Sequence, residues 1–513
     1  MLAFLGLTIG FYSYSILIIG LFGFLSFYPV LFLTFLFALP VLYRLKFYFP
    51  RLTKFQSLLL LIILLTALVN LVGALGPEIA FDALWYHLTI PRVFLMNESV
   101  FFIEGGLFYY SLMPKLTEML YTAALLLSGE ITAKLIHFSF GLLTCAALYK
   151  LAREFVSKNW AILAVIVFYS NLVVAWLSIT SYVDLSRAFF ETLALLFMVR
   201  SQRKESVRDL YSSAVFVGFA ICSKLISVLS LPIYAILLIK YDKKQLFTFL
   251  TLATITALPW FLVSLFYTGN PIYPLFSIHS PKLLHIENFE LVSIFKNLLQ
   301  IFLFAPDPLS PIYLIIAPLG IALLKVKKFR LVITYCLGSI LLWYIATFSG
   351  LWHATDQAGS ARFMTAYLPA LSVLVVGAIS LTKSKYIQRI SIGVIIVISL
   401  ITICYRGIAN ARFLPVILGF ESREEFLLEN LNFDFGDFYD ENKNIQNIVG
   451  DKKVLIQGIH NLYYVDFNFT LSDWKDSHEA LYLLIREDPA LPSNEKANFI
   501  YSNQKTNVKL YRL

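Results

Sequence analysis

The chain has 513 residues, of which 59% are hydrophobic and only 14% are charged. Soluble domains carry roughly 25% charged residues, so this chain lacks the polar side chains that a water-facing surface needs. The net charge of +9 does not indicate nucleic-acid binding, because Lys and Arg occur in short clusters between apolar runs. The composition excludes a soluble globular enzyme and predicts an all-α polytopic membrane bundle.

Apolar runs that approach the length needed to cross a bilayer, about 20 residues, recur along most of the chain. A further apolar stretch, 116–128, is shorter and is expected to lie at the membrane surface. The thirteen segments predicted to span the membrane are 2–25, 28–43, 57–76, 131–150, 159–178, 185–200, 207–223, 225–240, 246–268, 308–324, 331–349, 363–382 and 387–405.

Loops rich in Lys and Arg alternate strictly with loops that contain few of them. Basic loops tend to stay in the cytoplasm, which orients the chain. We expect a multi-pass protein of the cell inner (plasma) membrane, with a cytoplasmic N-terminus. The basic loops lie at 44–56, 150–158, 200–208, 240–244, 325–330 and 383–389, and the long external segments at 77–115, 269–307 and 350–362.

The tail of the chain is polar and broken by turns, unlike the preceding segments. KVLIQGI (453–459) and KLYRL (509–513) are typical of β-strands. SREEFLLENL (422–431) predicts a helix that begins with a Ser cap and a Glu three residues later. The predicted domains are a transmembrane module, 1–405, and a small external α/β domain, 406–513.

The external segment 77–115 begins directly after a predicted span and contains several ionisable groups. Asp82 and Tyr86 lie one helical turn apart, and His87, Arg92 and Glu78 are close in sequence. Ionisable groups near a bilayer are costly and indicate a functional site. The alternative is an amphipathic helix whose charged residues face water.

Further charged residues lie at the external ends of other spans. Lys115, Lys224 and Arg362 are expected at the same level as Arg92, and Asp184 opens a span. Snorkelling to the head groups is the alternative explanation for the cations. If the bundle brings them together, they form an anion site suited to phosphate. Asp82 would then act as a general base beside that phosphate.

The sequence contains none of the motifs GxxxxGK[ST], GxGxxG after a strand, or HExxH. The aspartates of FDFGDFYD (433–440) are interpreted as a solvated acidic loop. We therefore expect neither a nucleotide nor another cofactor.

A series of motifs follows in chain order: FDALWYHLTIPRVFL (81–95), YYSLMPKLTEMLY (109–121), AKLIHFSFGLLTCAALYKLAREF (133–155), SYVDLSRAFFETLAL (181–195), GFAICSKLISVLSLP (218–232), TGNPIYPLF (268–276), which contains Tyr273, ARFMTAYLPAL (361–371) and KVLIQGIHNLYYVDF (453–467). In this order the motifs resemble the GT-C superfamily of membrane glycosyltransferases, in the branch of protein mannosyltransferases and aminoarabinose transferases. The resemblance implies a polyprenyl-phosphate-linked sugar donor and transfer on the external face. It implies that Asp82 is catalytic and that Lys115, Lys224 and Arg362 lie near the lipid phosphate.

One departure from that family concerns the catalytic carboxylate. Many relatives have an Asp-Glu pair, whereas Asp82 is followed by Ala83. We therefore expect no obligatory metal. The leading hypothesis is an inverting transfer to an acceptor hydroxyl or amine, with the sugar and the protein, lipid or glycan acceptor left open. The alternative is a non-catalytic transporter or flippase of a lipid-linked glycan, although no interrupted-helix repeat supports it.

Overall fold

The architecture is that of a computed structural model, which describes most of the chain. Two segments that the sequence predicts to be external, 269–307 and 350–362, lie partly outside the described residues, and His353 and Asp356 are among those not described. The described ranges are 1–46, 51–239, 243–277, 299–302, 307–348, 361–486 and 498–513.

Helices form most of the molecule. Within the described ranges, eight helices are long and apolar enough to cross a membrane by length and composition: Leu2–Leu21, Phe27–Arg44, Lys54–Leu75, Glu130–Arg153, Lys243–Thr268, Lys327–Ile345, Ala361–Leu381 and Lys385–Ala411. Shorter apolar helices are Leu116–Leu127, Lys158–Tyr169, Leu225–Leu238 and Ile312–Lys325. The polytopic helical fold is confirmed, while the count of thirteen spans stays a prediction.

The fifth predicted span is broken into two helices, Lys158–Tyr169 and Leu172–Leu177. Asn171 lies at the break in an extended conformation. Its side-chain amide donates hydrogen bonds to the carbonyls of Val167 (2.7 Å) and Phe168 (2.9 Å). These carbonyls belong to the last turn of the first helix, so the side chain satisfies acceptors that a helix end leaves free.

The helix Asp184–Lys204 lies at the centre of the bundle, packed against Glu130–Arg153 and Val207–Ser223. Its Arg187 and Glu191 are fully buried, and each has hydrogen-bond partners. Burial of a charge is tolerated when the group is paired and hydrogen-bonded, as these are. The centre of the bundle is therefore polar along one face of this helix.

The small C-terminal sheet domain is confirmed. Its five strands are β1 (Val454–Gln457), β2 (Phe469–Leu471), β3 (Tyr482–Arg486), β4 (Asn498–Asn503) and β5 (Val508–Arg512), in the order β2-β1-β3-β5-β4. β1 pairs in parallel with β2 and β3, and the remaining pairs are antiparallel. The two predicted strands correspond to β1 and β5.

Short helices connect the bundle to the sheet and occur in the loops between the long helices. The predicted capping box is present, because Ser422 accepts from the Glu425 N–H and the Glu425 carboxylate accepts from the Ser422 N–H. The last long helix extends beyond residue 405. The remaining short helices are Thr89–Met96, Leu414–Leu418, Arg423–Asn430 and Asn444–Val449, with a π-helical turn at Ala83–His87.

The C-terminal domain packs directly on the loop that follows the third long helix. The Arg92 guanidinium pairs with Asp466 (3.1 Å) and donates to the Tyr463 carbonyl. The Tyr464 hydroxyl donates to the Glu78 carbonyl at 2.7 Å. These contacts hold the domain over the segment that contains Asp82.

Candidate active site

The loop before Asp82 is held by a buried lysine. Lys134 is completely buried, and its ammonium group donates to the carbonyls of Gly73 (2.9 Å), Gly76 (2.7 Å) and Pro77 (3.0 Å). Carbonyls at a helix C-terminus lack partners within the helix, and a cation stabilises them. Lys134 therefore fixes the point at which the chain leaves the helix and turns toward Asp82.

Glu78 braces the same loop from the other side. One carboxylate oxygen accepts from the N–H groups of Ile79 (3.0 Å) and Ala80 (2.9 Å), and the other accepts from the Ser181 N–H (2.6 Å). Glu78 is 1% exposed and lies outside the cavity that contains Asp82. Both of its oxygens are used to join two loops of the protein.

Asp82 lies in the wall of a cavity of about 590 Å³. The predicted site residues that line it are Asp82, Tyr86, His87, Lys115, Lys224 and Arg362. Aromatic side chains form much of the remaining wall, and Phe435 of the C-terminal domain also lines it. A mostly apolar pocket with a few convergent charged groups is the usual form of a small-molecule site.

Asp82 is paired with Arg362 inside this cavity. A guanidinium nitrogen of Arg362 lies 2.6 Å from the Asp82 carboxylate, and the Tyr86 hydroxyl donates to the same oxygen at 3.1 Å. Burial opposes ionisation of the carboxyl group, but Arg362 outweighs it and lowers the pKa of Asp82 below its usual value. Asp82 is therefore an ionised carboxylate in the free protein.

Asp184 lies behind the two cations of the cavity wall. The Lys224 ammonium is 2.6 Å from one Asp184 oxygen, and a nitrogen of Arg362 is 3.9 Å from the other. Lys224 and Arg362 line the cavity, whereas Asp184 does not. Asp184 thus orients the cations without occupying the space where an anion would bind.

Arg187 links the two turns that carry these cations. Arg187 is 1% exposed. It donates to the hydroxyl of Ser227, which follows Lys224 by three residues (2.8 Å), and to the carbonyl of Phe363, which follows Arg362 directly (3.1 Å). Such a clamp restricts the distance between the two positive charges.

A second charged cluster lines the cavity and consists of His87, Lys115 and Glu118. The His87 ring and the Lys115 ammonium approach the same Glu118 oxygen, at 2.9 Å and 3.7 Å. Burial lowers the pKa of His87, and Glu118 offsets this only in part. The imidazole is therefore neutral at pH 7 and donates from Nδ1.

Two other predicted site residues lie outside the cavity. Arg92 contacts the C-terminal domain, as described above. Tyr273 is buried in a separate apolar cluster, with its ring 5.5 Å from that of Phe102. The predicted site residues that do not line the cavity are therefore Glu78, Arg92, Asp184 and Tyr273.

Sequence reasoning missed several residues that do line it. Glu118 lies one helical turn after Lys115, and this spacing could have indicated a pair. Tyr182 accepts from the Asp82 N–H at 3.2 Å, and its ring lies beneath the Arg362 guanidinium. Tyr110 and Phe363 also line the cavity, but aromatic residues are too frequent in this chain to identify them from sequence.

A metal site needs several ligating side chains close together. In the part of the chain that the structure describes, no group of three His, Cys, Asp or Glu residues is placed to hold a metal ion. The expectation that no metal is obligatory stays a prediction.

Comparisons with known proteins identify the overall fold. ArnT from Cupriavidus metallidurans bound to undecaprenyl phosphate superposes with a TM-score of 0.54 at 12% identity, covering 89% of this chain and 98% of ArnT. The chain has the fold of the GT-C membrane glycosyltransferases. The apo ArnT structure matches similarly, with a TM-score of 0.55 at 12% identity and coverage of 89% and 97%.

The family model for dolichyl-phosphate-mannose-protein mannosyltransferase matches residues 114–267 of this chain. That range includes Lys115 and Lys224, and it excludes Asp82 and Arg362. The oligosaccharyltransferase from Archaeoglobus fulgidus has a TM-score of 0.46 at 12% identity, with 83% of this chain and 69% of that chain covered. No curated protein matches the sequence significantly. The resemblance predicted from sequence is confirmed at the level of the superfamily fold.

Proposed function

We propose that this chain is a glycosyltransferase that moves a sugar from a polyprenyl-phosphate carrier to an acceptor hydroxyl or amine on the external face of the membrane. The observation that carries the proposal is that one cavity contains Asp82 in contact with Arg362, with Lys224 in the same wall. An anion site beside a carboxylate is what displacement of a lipid phosphate from a sugar carbon requires.

Lys224 and Arg362 are the proposed ligands of the phosphate. Arg187 links the two turns that carry them, and Asp184 lies within 4 Å of both charged groups. Guanidinium and ammonium groups bind phosphate through charge-assisted hydrogen bonds, and Arg does so with two parallel donors. The cations also stabilise the negative charge that develops on the departing phosphate.

Asp82 is the proposed general base. An acceptor hydroxyl or amine gives its proton to the carboxylate while its O or N atom forms a bond to the sugar carbon. The bond from that carbon to the phosphate oxygen breaks, and the electron pair leaves with the polyprenyl phosphate. Attack opposite the leaving group inverts the configuration at the sugar carbon. No metal takes part in this scheme.

The arrangement supports a transferase over a flippase. A transport path is expected to place polar groups along its length through the bilayer. Here Asp82, Lys115, Lys224 and Arg362 converge on one cavity, covered by the loop and the C-terminal domain. Convergence of a base and cations on one space supports chemistry at that point.

The test uses the purified full-length protein with undecaprenyl phosphate carrying a labelled mannose, glucose, galactose or 4-amino-4-deoxyarabinose. Transfer of label to an acceptor, or slow release to water, with formation of undecaprenyl phosphate is the expected result. The configuration of the released sugar is determined by NMR and is expected to be inverted. Movement of intact donor across a vesicle membrane without cleavage would instead establish the flippase.

A further inference from the structure

The proposed chemistry leaves one buried carboxylate of the cavity wall without a role. Glu118 is 3% exposed, and only one of its oxygens has partners, His87 and Lys115. In the described part of the chain, its other oxygen, Oε2, has no hydrogen-bond partner. A buried acceptor without a partner is costly, and a ligand that donates a hydrogen bond to it would remove that cost.

Tyr86 contacts both the proposed reaction centre and the residues around Glu118. The Tyr86 hydroxyl contacts Asp82, while its ring lies 4.2 Å from the His87 ring and 6.0 Å from the Lys115 ammonium. One phenol ring therefore separates the pair Asp82 and Arg362 from the cluster around Glu118. A sugar ring is about as wide as a phenol ring, so a single sugar can contact both.

We propose that Glu118 binds the transferred sugar, with Oε2 accepting a hydrogen bond from a hydroxyl or amine group on the sugar ring. This inference rests on the proposed function and assigns an orientation to the donor bound in the cavity. Its phosphate lies at Arg362 and Lys224, and its sugar extends past Tyr86 toward Glu118. His87 and Lys115 hold the carboxylate in place through Oε1 and do not compete for Oε2.

This arrangement makes Glu118 a determinant of sugar specificity. A site built to accept a hydrogen bond from a substrate rejects analogues that lack the donor, because its own acceptor is then buried without a partner. The aromatic wall around it, including Trp85, Tyr109 and Tyr110, supplies apolar surface for the ring faces. The carboxylate therefore discriminates between donors that differ in the sugar and share the same phosphate contacts.

The experiment separates binding of the phosphate from binding of the sugar. The affinity for undecaprenyl phosphate without a sugar is measured for the parent and for Glu118→Gln, together with kcat/KM for the best glycosylated donor of the panel. We expect unchanged affinity for undecaprenyl phosphate and a fall in kcat/KM of about tenfold to a hundredfold, from loss of one charge-assisted contact. Glu154→Gln is the matched control. Glu154 pairs with Arg200 just after the C-terminal end of the helix Glu130–Arg153 and does not line the cavity.

A second measurement varies the donor. Donors that lack one hydroxyl or amine at a time are compared in the parent protein, and one position is expected to account for most of the loss in kcat/KM. Glu118→Gln should no longer discriminate at that position. Comparison of the hexose and aminoarabinose donors identifies whether the group is a hydroxyl or an amine.

Several outcomes would overturn the inference. If Glu118→Gln weakens undecaprenyl phosphate and the glycosylated donor equally, Glu118 serves the phosphate site or the fold. If no single deoxy donor is rejected, or if the variant retains the parent's preference, Glu118 does not contact the sugar. If the parent protein neither binds undecaprenyl phosphate nor cleaves any donor, the proposed function itself fails.

Discussion

The Asp82 carboxylate and the Arg362 guanidinium are 2.6 Å apart in the wall of one cavity. The same guanidinium is the proposed ligand of the donor phosphate, so the carboxylate and the phosphate compete for it. When the phosphate engages Arg362, the positive charge that lowers the basicity of Asp82 is shared. Donor binding would therefore raise the proton affinity of Asp82 at the moment when a base is needed.

Replacing Asp82 by Asn should nearly abolish turnover. Asparagine preserves the size of the side chain and removes the basic oxygen, and general-base assistance is worth about a hundredfold to ten-thousandfold. Undecaprenyl phosphate should bind at least as tightly as to the parent, because the carboxylate no longer competes for Arg362. Sugar transfer and lipid binding are measured separately, and turnover close to the parent rate would remove Asp82 from the role of base.

The pH dependence of kcat/KM should change when Arg362 is replaced by Gln. Arg362 holds the pKa of Asp82 below its ordinary value, so the parent's base stays ionised as the pH falls through the usual aspartate range. Without Arg362, burial dominates and raises this pKa, so the acid limb of the profile should move to higher pH. Lys224→Gln is the control and should shift the limb less, because Lys224 pairs with Asp184. Identical acid limbs in Arg362→Gln and the parent would contradict the coupling.

Lys224→Ala should weaken binding of undecaprenyl phosphate about tenfold to a hundredfold, the cost of one charge-assisted contact. Arg92→Ala provides the comparison, since Arg92 contacts Asp466 of the C-terminal domain outside the cavity. Its affinity for undecaprenyl phosphate should match that of the parent. Equal weakening in both variants would mean that general positive charge, and not the cavity, binds the phosphate.

Glu78→Gln should reduce stability more than it reduces the chemistry of the folded protein. The amide group of glutamine would place N–H donors against the N–H of Ile79 and Ala80 or of Ser181, which costs about 1–3 kcal/mol. A lower temperature of unfolding in detergent, with the specific activity of folded protein largely kept, is expected. A fully folded but inactive Glu78→Gln would instead place the base at Glu78.

The orientation predicted from the basic loops can be measured directly. Reporter fusions at residue 205 and at the C-terminus are expected on opposite sides of the membrane, with residue 205 in the cytoplasm. This result would place residues 410–513 and the cavity on the external face. Finding both reporters on one side would rule out the thirteen-span topology.

The sequence by itself determined where the apolar helices lie and where two of the five strands lie. Partitioning of a segment into lipid depends on the segment's own side chains, which is why each predicted span contains a described helix. The Ser422 cap, β1 and β5 also follow from local chemistry. Asn171 shows where prediction of helices from hydropathy fails. Its side chain bonds to the preceding turn, and the helix ends there although the sequence predicts one span over 159–178.

Only the tertiary structure decided which charged residues meet. Glu78 and Asp82 are one helical turn apart in sequence, yet three backbone N–H groups occupy Glu78 while Asp82 faces a cavity. Asp82 and Arg362 are 280 positions apart and in direct contact. Hydropathy indicates how deep a residue lies in the membrane but not how a helix is rotated or which helices are neighbours. Helix rotation and helix neighbours depend on side-chain packing across the whole bundle, and this packing also determines the partner of each charged side chain.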